Sequence, residues 1–245
     1  MDSGYYAAMT GLVARTQALD TAAGNLANAQ TPGYRAEREY FRSVLLGPDA
    51  MNSQLGRTVN DFGLLGGDRL NLAQGALQQT GNPLDLAIEG QGFFAVRTAQ
   101  GVRYTRDGGF HRSQGGMLVT QTGEAVLSAT GQPIPVPPGE VSVGANGVLS
   151  VAGGAVATVG LFSFPASVQL VPEGANRYAA QAGAAATASS DATIHQGAIE
   201  SANQDAVQGT LDLIVMQRQA EMMQRALTVF HTEFNKFATE DLPRV

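Results

Sequence analysis

Two glycines near the middle of the chain have the spacing found in dinucleotide-binding loops. Residues 90–95 read GQGFFA, which fits the pattern G-x-G-x-x-A and follows a predicted strand. That chemistry needs a helix directly after the glycines, because the helix N-terminus holds the pyrophosphate. Residues 93–97 have the composition of a strand instead. We therefore interpret Gly90 and Gly92 as part of a turn or bulge between strands.

A second candidate chemistry is nucleophilic catalysis around His111. Ser113 lies two residues further on, and Asp85 and Asp107 are near in sequence. The Gly-x-Ser-x-Gly signature of many hydrolases does not occur, and a catalytic triad is defined by geometry rather than by spacing. We interpret His111 as a surface residue of a hairpin.

The composition excludes several further classes of site. The 245 residues contain no cysteine, which removes disulfides, thiolate metal sites and cysteine nucleophiles. No pair of histidines has metal-ligand spacing, so we expect neither a metal nor a cofactor. The net charge of −6 argues against a nucleic-acid partner. Charged residues make up 15 %, below the roughly 25 % of ordinary soluble domains, which suits a surface that is buried against other copies.

The elements at both ends of the chain show helical periodicity. Apolar side chains recur at alternating intervals of three and four within residues 4–29 and about 198–238, a heptad pattern typical of helices that pair. The second helix has two apolar stripes, so we expect it to contact more than one neighbour. We predict that the following residues form self-assembly seams: Met9, Leu12, Leu19, Leu26, Leu213, Met216, Met223, Leu227, Phe230 and Phe234.

Between the helices the periodicity changes to that of short strands. Apolar and polar residues alternate at 84–89, and Asn146-Gly147 is a strong hairpin signal. We predict an α+β fold in which long terminal helices pair as a coiled-coil-like core around an inserted antiparallel β domain. The predicted segments are an N-terminal helix (1–32), an extended or irregular arm (33–80), the β domain (81–178), a flexible linker (179–196) and a C-terminal helix (197–245).

Three sequence blocks resemble the bacterial flagellar basal-body rod and hook proteins. The first, AAGNLANAQTPGYR at 22–35, is similar to the N-terminal signature of that family. The second is NPLDLAIEGQGFF at 82–94, followed by YTRDGGF at 104–110. The third, QGAIESAN at 196–203, is similar to the start of the last helix in the family. It departs from the family pattern at residues 201–202, which are Ser-Ala where the family usually has a variable residue followed by Ser. The residues that carry the motifs are Asn25, Leu26, Asn28, Thr31, Gly33, Gly90, Gly92, Phe93, Asp107 and Gly108.

The resemblance implies a structural subunit of the flagellar rod and not an enzyme. It implies that the terminal helices assemble with copies of the chain and with other axial rod proteins, in the basal body. Delivery would use the flagellar type III export apparatus without a cleaved signal peptide, with no membrane insertion and no nucleic acid. The length and the single β domain suit the rod proteins of the family. The start of the chain, with Tyr5, Tyr6 and Met9, resembles a proximal-rod protein, and a distal-rod or hook-type protein is the alternative.

A more remote alternative is a binding module that combines a coiled coil with a ligand-recognising β domain. That reading requires an exposed aromatic or charged cluster on the β domain. The candidates for such a cluster are Tyr104, Phe110 and His111.

Overall fold

The chain divides into two compact units. The computed structural model describes residues 2–42, 64–165, 167–181, 184–189 and 191–240. The first unit, here called the helical unit, groups Met1–Ala27, Glu37–Arg69 and Asp205–Val245. The second, here called the β unit, groups Asn28–Ala36 and Leu70–Gln204. Much of the predicted arm, residues 43–63, lies outside the described residues.

Two long helices that pack against each other form most of the helical unit. Helix α1 covers Asp2–Ala27 and helix α2 covers Ala206–Glu240. Three buried positions of α1 are small residues at heptad-like spacing, Gly11, Ala14 and Ala18, and small side chains let helix backbones approach closely. Among the described residues, neither helix is apolar over a long enough stretch to cross a membrane.

Helix α2 begins at Ala206, which corrects the prediction of a helix from about residue 198. Residues 198–200 form a strand instead. The helix starts after Asp205, whose Oδ1 accepts the main-chain N–H of Gln208 at 2.8 Å, as an N-cap residue does. The prediction was wrong here because the strand is held by a partner far away in sequence, which local periodicity does not record.

The predicted arm contains regular structure on either side of residues 43–63. Strand β1 (Glu37–Arg42) pairs with strand β2 (Leu64–Leu70) in a two-stranded sheet. Within the helical unit, β1 also contacts α1. An extended or irregular conformation was expected here, and the pairing of the two strands was not predicted.

The β unit contains sixteen of the described strands, β3 to β18, and all of their pairings are antiparallel. Their bounds are Leu77–Gln79 (β3), Leu86–Glu89 (β4), Phe93–Thr98 (β5), Gly101–Thr105 (β6), His111–Arg112 (β7), Leu118–Val119 (β8), Ala125–Val126 (β9), Val141–Val143 (β10), Val148–Val151 (β11), Gly154–Thr158 (β12), Leu161–Ser163 (β13), Leu170–Pro172 (β14), Tyr178–Ala180 (β15), Thr187–Ala188 (β16), Thr193–Gln196 (β17) and Ala198–Glu200 (β18).

The strands form one large sheet and three small ones. The large sheet has the order β14-β15-β6-β5-β9-β8-β7, and β13 joins it by pairing with β5 and β16. Strands β10, β11 and β12 form a separate sheet, while β17 pairs with β4 and β18 pairs with β3. The hairpin predicted around Asn146-Gly147 is confirmed as β10/β11, and β5 and β6 form another hairpin.

The core of the β unit lies between these sheets. Phe94 and Phe110 meet edge to face with their ring centroids 5.1 Å apart, and both rings are fully buried. Aliphatic side chains from several strands complete the cluster: Leu86, Ile88, Val96, Leu118, Val126, Ile134, Val136, Val143, Leu149, Val151, Val159 and Ile194. The alternation at residues 84–89 therefore predicted inward-facing residues at 86 and 88.

The predicted flexible linker, 179–196, contains strands, which corrects that expectation. Strand β15 pairs with β6 and β14, β16 pairs with β13, and β17 pairs with β4. The prediction relied on the small, low-complexity side chains of this stretch. Ladder hydrogen bonds come from the main chain, so such residues can still pair when a neighbouring strand is available.

We expect Gly108→Ala to destabilise the β unit strongly. A Cβ atom at Gly108 would lie 1.6 Å from the carbonyl oxygen of Leu86, so the main chain has to move. Such overpacking should lower the free energy of unfolding by about 2 kcal/mol or more, measured by urea denaturation followed by circular dichroism. Gly115→Ala is the matched control, because its nearest neighbour is Ser113 Oγ at 3.8 Å. Equal effects of the two substitutions would contradict this prediction.

Candidate functional site: a buried arginine and glutamate cluster

The carboxylate of Glu200 is fully buried in the β unit between two arginines. Nη2 of Arg35 lies 2.7 Å from Glu200 Oε1, and Nη1 of Arg106 lies 3.0 Å from Oε2. The main-chain N–H of Gly75 also donates to Oε1, at 2.7 Å. The side chain of Arg35 is fully buried and that of Arg106 nearly so. We call Arg35, Glu200 and Arg106 the charge cluster.

Each member of the charge cluster comes from a different part of the sequence. Arg35 lies in residues 32–36, here called the strap, while Arg106 follows β6 and Glu200 ends β18. The strap approaches closely through Gly33, whose N–H donates to the carbonyl oxygen of Glu200 at 2.6 Å. Gly33 has φ +67°, and a Cβ atom there would lie 2.3 Å from the carbonyl carbon of Arg106. The position therefore requires glycine.

A tyrosine and an asparagine hold one side of the strap. The hydroxyl of Tyr178 accepts the main-chain N–H of Arg35 at 3.1 Å and donates to Oδ1 of Asn176 at 3.1 Å. The side-chain amide of Asn176 in turn donates to the carbonyl oxygen of Pro32. Asn176 itself has φ +58°, a left-handed conformation that Asn adopts more often than most other residues.

Asn203 holds the other side of the strap. Its Oδ1 accepts the main-chain N–H of Ala36 at 2.8 Å. The main-chain N–H of Asn203 donates to the carbonyl oxygen of Tyr34 at 3.2 Å. The amide nitrogen of Asn203 donates to the carbonyl oxygens of Asn71 and Ala73 at 2.6 and 2.9 Å. One side chain thus links the strap to the chain that precedes β3.

The guanidinium of Arg106 connects the charge cluster to the turn before β5. Nη2 donates to the carbonyl oxygen of Gly90 at 2.6 Å, and Nη1 donates to that of Ile88 at 3.3 Å. The guanidinium carbon lies 5.4 Å from the ring centroid of Phe93, in a cation–π arrangement. Gly90 and Phe93, which belong to the second sequence block, therefore contact the guanidinium of Arg106 through a carbonyl oxygen and an aromatic ring.

Burial lowers the pKa of Arg106 to about 10, and the charges of its neighbours adjust that value. Glu200 raises the pKa and Arg35 lowers it. A guanidinium with a pKa of about 10 remains protonated at neutral pH. Arg106 therefore acts as a fixed positive charge and not as a proton donor or acceptor.

Two buried cations share a single carboxylate in the charge cluster. Taking such ions out of water costs several kcal/mol each, and the attraction between each guanidinium and the Glu200 carboxylate offsets that cost only when all three groups are in place. Because the cluster is buried, it does not offer these groups to a substrate. What the arrangement can do is fix three distant segments of the chain relative to one another.

The residues considered for dinucleotide binding and for catalysis have other roles. Strand β5 begins directly after the two glycines, at Phe93, so the helix needed to bind a pyrophosphate is replaced by a strand. His111 is exposed on β7. Oδ1 of Asp107 accepts the N–H of Gly109 at 2.9 Å, so this carboxylate stabilises a turn. Among the described residues, no group of His, Asp or Glu is arranged to hold a metal ion.

The aromatic cluster that a ligand-binding β domain would need is not exposed. Phe110 is buried in the core. The ring of Tyr104 packs edge to face against Phe164, with the centroids 4.7 Å apart. His111 alone of the three candidates is exposed.

The residues of the first block stabilise the end of helix α1 and the turn that follows. The side chain of Asn25 donates to the carbonyl oxygen of Glu37 at 2.8 Å and accepts its N–H at 2.9 Å. In the turn, the N–H of Thr31 donates to the carbonyl oxygen of Asn28 at 3.0 Å. Leu26 is half-buried. The hydroxyl of Thr31 also donates to Oδ1 of Asn28 at 3.3 Å, so side-chain contacts account for the residue types at 25, 28 and 31.

The predicted seam residues are placed mostly at partly exposed positions. Met9 is 40 % exposed. The half-buried members are Leu12, Leu19, Leu26, Leu213, Met216, Met223 and Leu227. The side chains of Phe230 and Phe234 lie outside the described part of the chain. Self-assembly through these seams stays a prediction.

Comparison with known proteins gives the family. A family described as flagella basal body rod protein matches residues 6–35, and one described as the flagellar hook protein FlgE/F/G D1 domain matches residues 87–151. The flagellar basal-body rod protein FlgF of Caulobacter vibrioides is 33 % identical over 100 % of both chains. The chain belongs to the flagellar basal-body rod protein family.

Other rod proteins are similar over nearly the same length. FlgF of Salmonella typhimurium is 32 % identical over 93 % of this chain and 94 % of its own. The basal-body rod protein FlgG of Bacillus subtilis is 29 % identical over 91 % and 93 %. These relatives are rod proteins, and neither matching family is described as an enzyme.

The charge cluster joins the two family regions of this rod protein. Arg35 is the last residue of the first matched region, and Arg106 lies in the second. Glu200, which pairs with both, lies outside either region. The sequence blocks contained all three residues, but sequence reasoning did not identify them as partners. The available signal was that each charge stands within a mainly apolar or glycine-rich block.

We expect Glu200→Gln to lower the stability of this rod protein substantially. The substitution keeps the shape of the side chain but leaves two buried guanidinium ions without a counter-charge. Breaking a buried pair in this way should cost about 3–5 kcal/mol of unfolding free energy in urea denaturation. Glu173→Gln is the control, because its pair with Arg103 is partly exposed and should contribute less than about 1 kcal/mol. A cost for Glu200→Gln no larger than that of the control would contradict the prediction.

Asp107→Asn should make the stability of the protein less sensitive to rising pH in the acidic range. Burial and the nearby charge of Asp85 raise the pKa of Asp107 above its usual value, although the Gly109 N–H partly opposes this. The folded state therefore binds the proton more readily than the unfolded state, and ionising Asp107 costs stability as the pH rises. We expect the stability of Asp107→Asn relative to the unmodified protein to increase between about pH 3 and about pH 7 in urea denaturation. A constant or falling difference would show that this carboxyl has no such effect.

Proposed function

We propose that this chain is a structural, non-catalytic subunit of the flagellar basal-body rod, in its proximal part. The proposal is supported by similarity to FlgF over the whole chain, whereas the FlgG relative is 29 % identical over slightly less of it. The charge cluster supports the same conclusion, because its groups are buried and fix chain segments. A distal-rod subunit is the alternative.

The observation that carries the assembly proposal is an apolar stripe on the outside of helix α2. Val215, Met222 and Val229 follow one another at intervals of seven residues, and they are 50 %, 61 % and 60 % exposed. Leu211 and Val207, one and two turns earlier, are exposed as well. A repeated apolar stripe that is left open to water marks a surface for another protein.

Helix α1 adds a smaller apolar surface of the same kind. Val13 is 59 % exposed, and Met9, one turn earlier on the same face, is exposed as well. We infer that α1 and α2 pair as a coiled-coil-like core and use these outer faces to contact copies of the chain and other axial rod proteins.

Delivery to the basal body follows from the same proposal. We infer that the flagellar type III export apparatus carries the chain out of the cytoplasm without cleavage of a signal peptide. The resemblance to axial proteins described above is the support for this step.

Charges placed on the α2 stripe should prevent assembly without unfolding the protein. We expect a strain that carries Val215→Glu and Met222→Glu to lose motility, because two carboxylates cannot be buried in an apolar contact. Both positions are exposed in the single chain, so its unfolding free energy should change by less than about 1 kcal/mol. The measurement is swimming in soft agar, together with mass spectrometry of purified basal bodies.

The control for this experiment is Gln224→Glu, which adds a negative charge at an exposed polar position of the same helix. That strain should swim and contain the protein in its rods. If the stripe variant is incorporated and supports normal swimming, the stripe is not an assembly surface.

In a deletion strain, basal bodies that stop before the distal rod support the proximal position, and basal bodies that contain a distal rod contradict it.

A further inference from the structure

Two strands near the start of the β unit pair with strands at its very end. Strand β4 pairs with β17 in the register Ile88 to Ile194, and β3 pairs with β18 in the register Gln78 to Ile199. Each of these sheets has two strands among the described residues. The ladder partners of β3 and β4 are thus separated from them by more than a hundred residues along the chain.

The strands between them pair mainly with near neighbours in sequence. Hairpins join β5 to β6, β10 to β11, β11 to β12, and β14 to β15. Closing a short loop costs less conformational entropy than closing a long one, so such hairpins form readily from local chain. The middle of the β unit can therefore begin to fold without the residues at its end.

Residues 193–203, here called the closing segment, connect several parts of the β unit. Ile194 is buried in the hydrophobic core. The side chain of Gln196 accepts the N–H of Val143 at 3.1 Å and donates to the carbonyl oxygens of Val141 and Pro83, each at 2.9 Å. The closing segment thus links the β10 sheet to the chain before β4.

The closing segment also brings the carboxylate that the strap requires. Without Glu200, docking of the strap would place Arg35 and Arg106 together in a buried site without a counter-charge, which is strongly unfavourable. Asn203 supplies the acceptor for the N–H of Ala36. The strap therefore cannot dock stably until residues 200–203 are present.

We propose that the closing segment is the last part of the β unit to dock and that its docking orders the strap and strands β3 and β4. A chain that emerges N-terminus first, during synthesis or export, cannot complete the β unit until residue 203 is free. This inference goes beyond the proposed rod function and does not depend on it.

The test is pulsed hydrogen exchange with mass spectrometry during refolding of the full chain from urea. Peptides from residues 93–105 and 141–158 should become protected in an early phase. Peptides that cover the strap, residues 77–89 and the closing segment should become protected together in a later phase. Protection of 77–89 together with the hairpins, before the closing segment, would overturn the proposal.

Glu200→Gln separates this proposal from a general loss of stability. We expect it to slow the late phase about tenfold and to leave the early phase unchanged, because the carboxylate is needed only when the strap docks. The control Glu173→Gln should change neither phase by more than about twofold. An unchanged late phase in Glu200→Gln, with only faster unfolding, would contradict the proposal.

A second variant serves if Glu200→Gln does not fold. Gln196→Ala keeps the charge cluster and removes the side-chain links to Val141 and Val143. It should slow the late phase and leave protection of 93–105 unchanged. Equal slowing of both phases would show that the closing segment is part of the initial folding step.

Discussion

The burial of two guanidinium ions beside one carboxylate is the constraint on which the β unit depends. Burying either Arg35 or Arg106 has a large desolvation cost, and Glu200 provides the opposite charge for both. The three residues come from the strap, from the end of β6 and from the end of β18. A favourable arrangement of charges is therefore obtained only when these three segments meet, and the electrostatic requirement becomes a requirement on the path of the chain.

The sequence signature of the rod family has a physical explanation in this chain. Gly33 lets the strap approach Arg106, while Gly90 and Phe93 supply a carbonyl oxygen and an aromatic face to the guanidinium. Gly108 is needed because the carbonyl oxygen of Leu86 occupies the space that a Cβ atom would take. Residue types that are far apart in the sequence blocks thus serve one buried site.

Those parts of the fold that depend on local chain were predictable from the sequence. The hairpins β5/β6 and β10/β11 follow from turn residues, and α1 follows from a heptad pattern. The start of α2 and the strands within 179–196 were not predictable, because their partners lie elsewhere in the chain. The same holds for the site. The resemblance identified Gly33, Gly90 and Phe93 as motif residues, but the pairing of Arg35 and Arg106 with Glu200 exists only in three dimensions.

The contact between Asn25 and Glu37 also limits how copies of this protein can associate. Both main-chain groups of Glu37 are occupied by one side chain, and those of Ala36 bond to Asn203 and Asn71. The approach to β1 therefore presents no free donor or acceptor at these two residues to a strand from another molecule. Unpaired strand edges favour edge-to-edge β aggregation between copies of a chain. The saturated main-chain groups of Ala36 and Glu37 disfavour such pairing at this point.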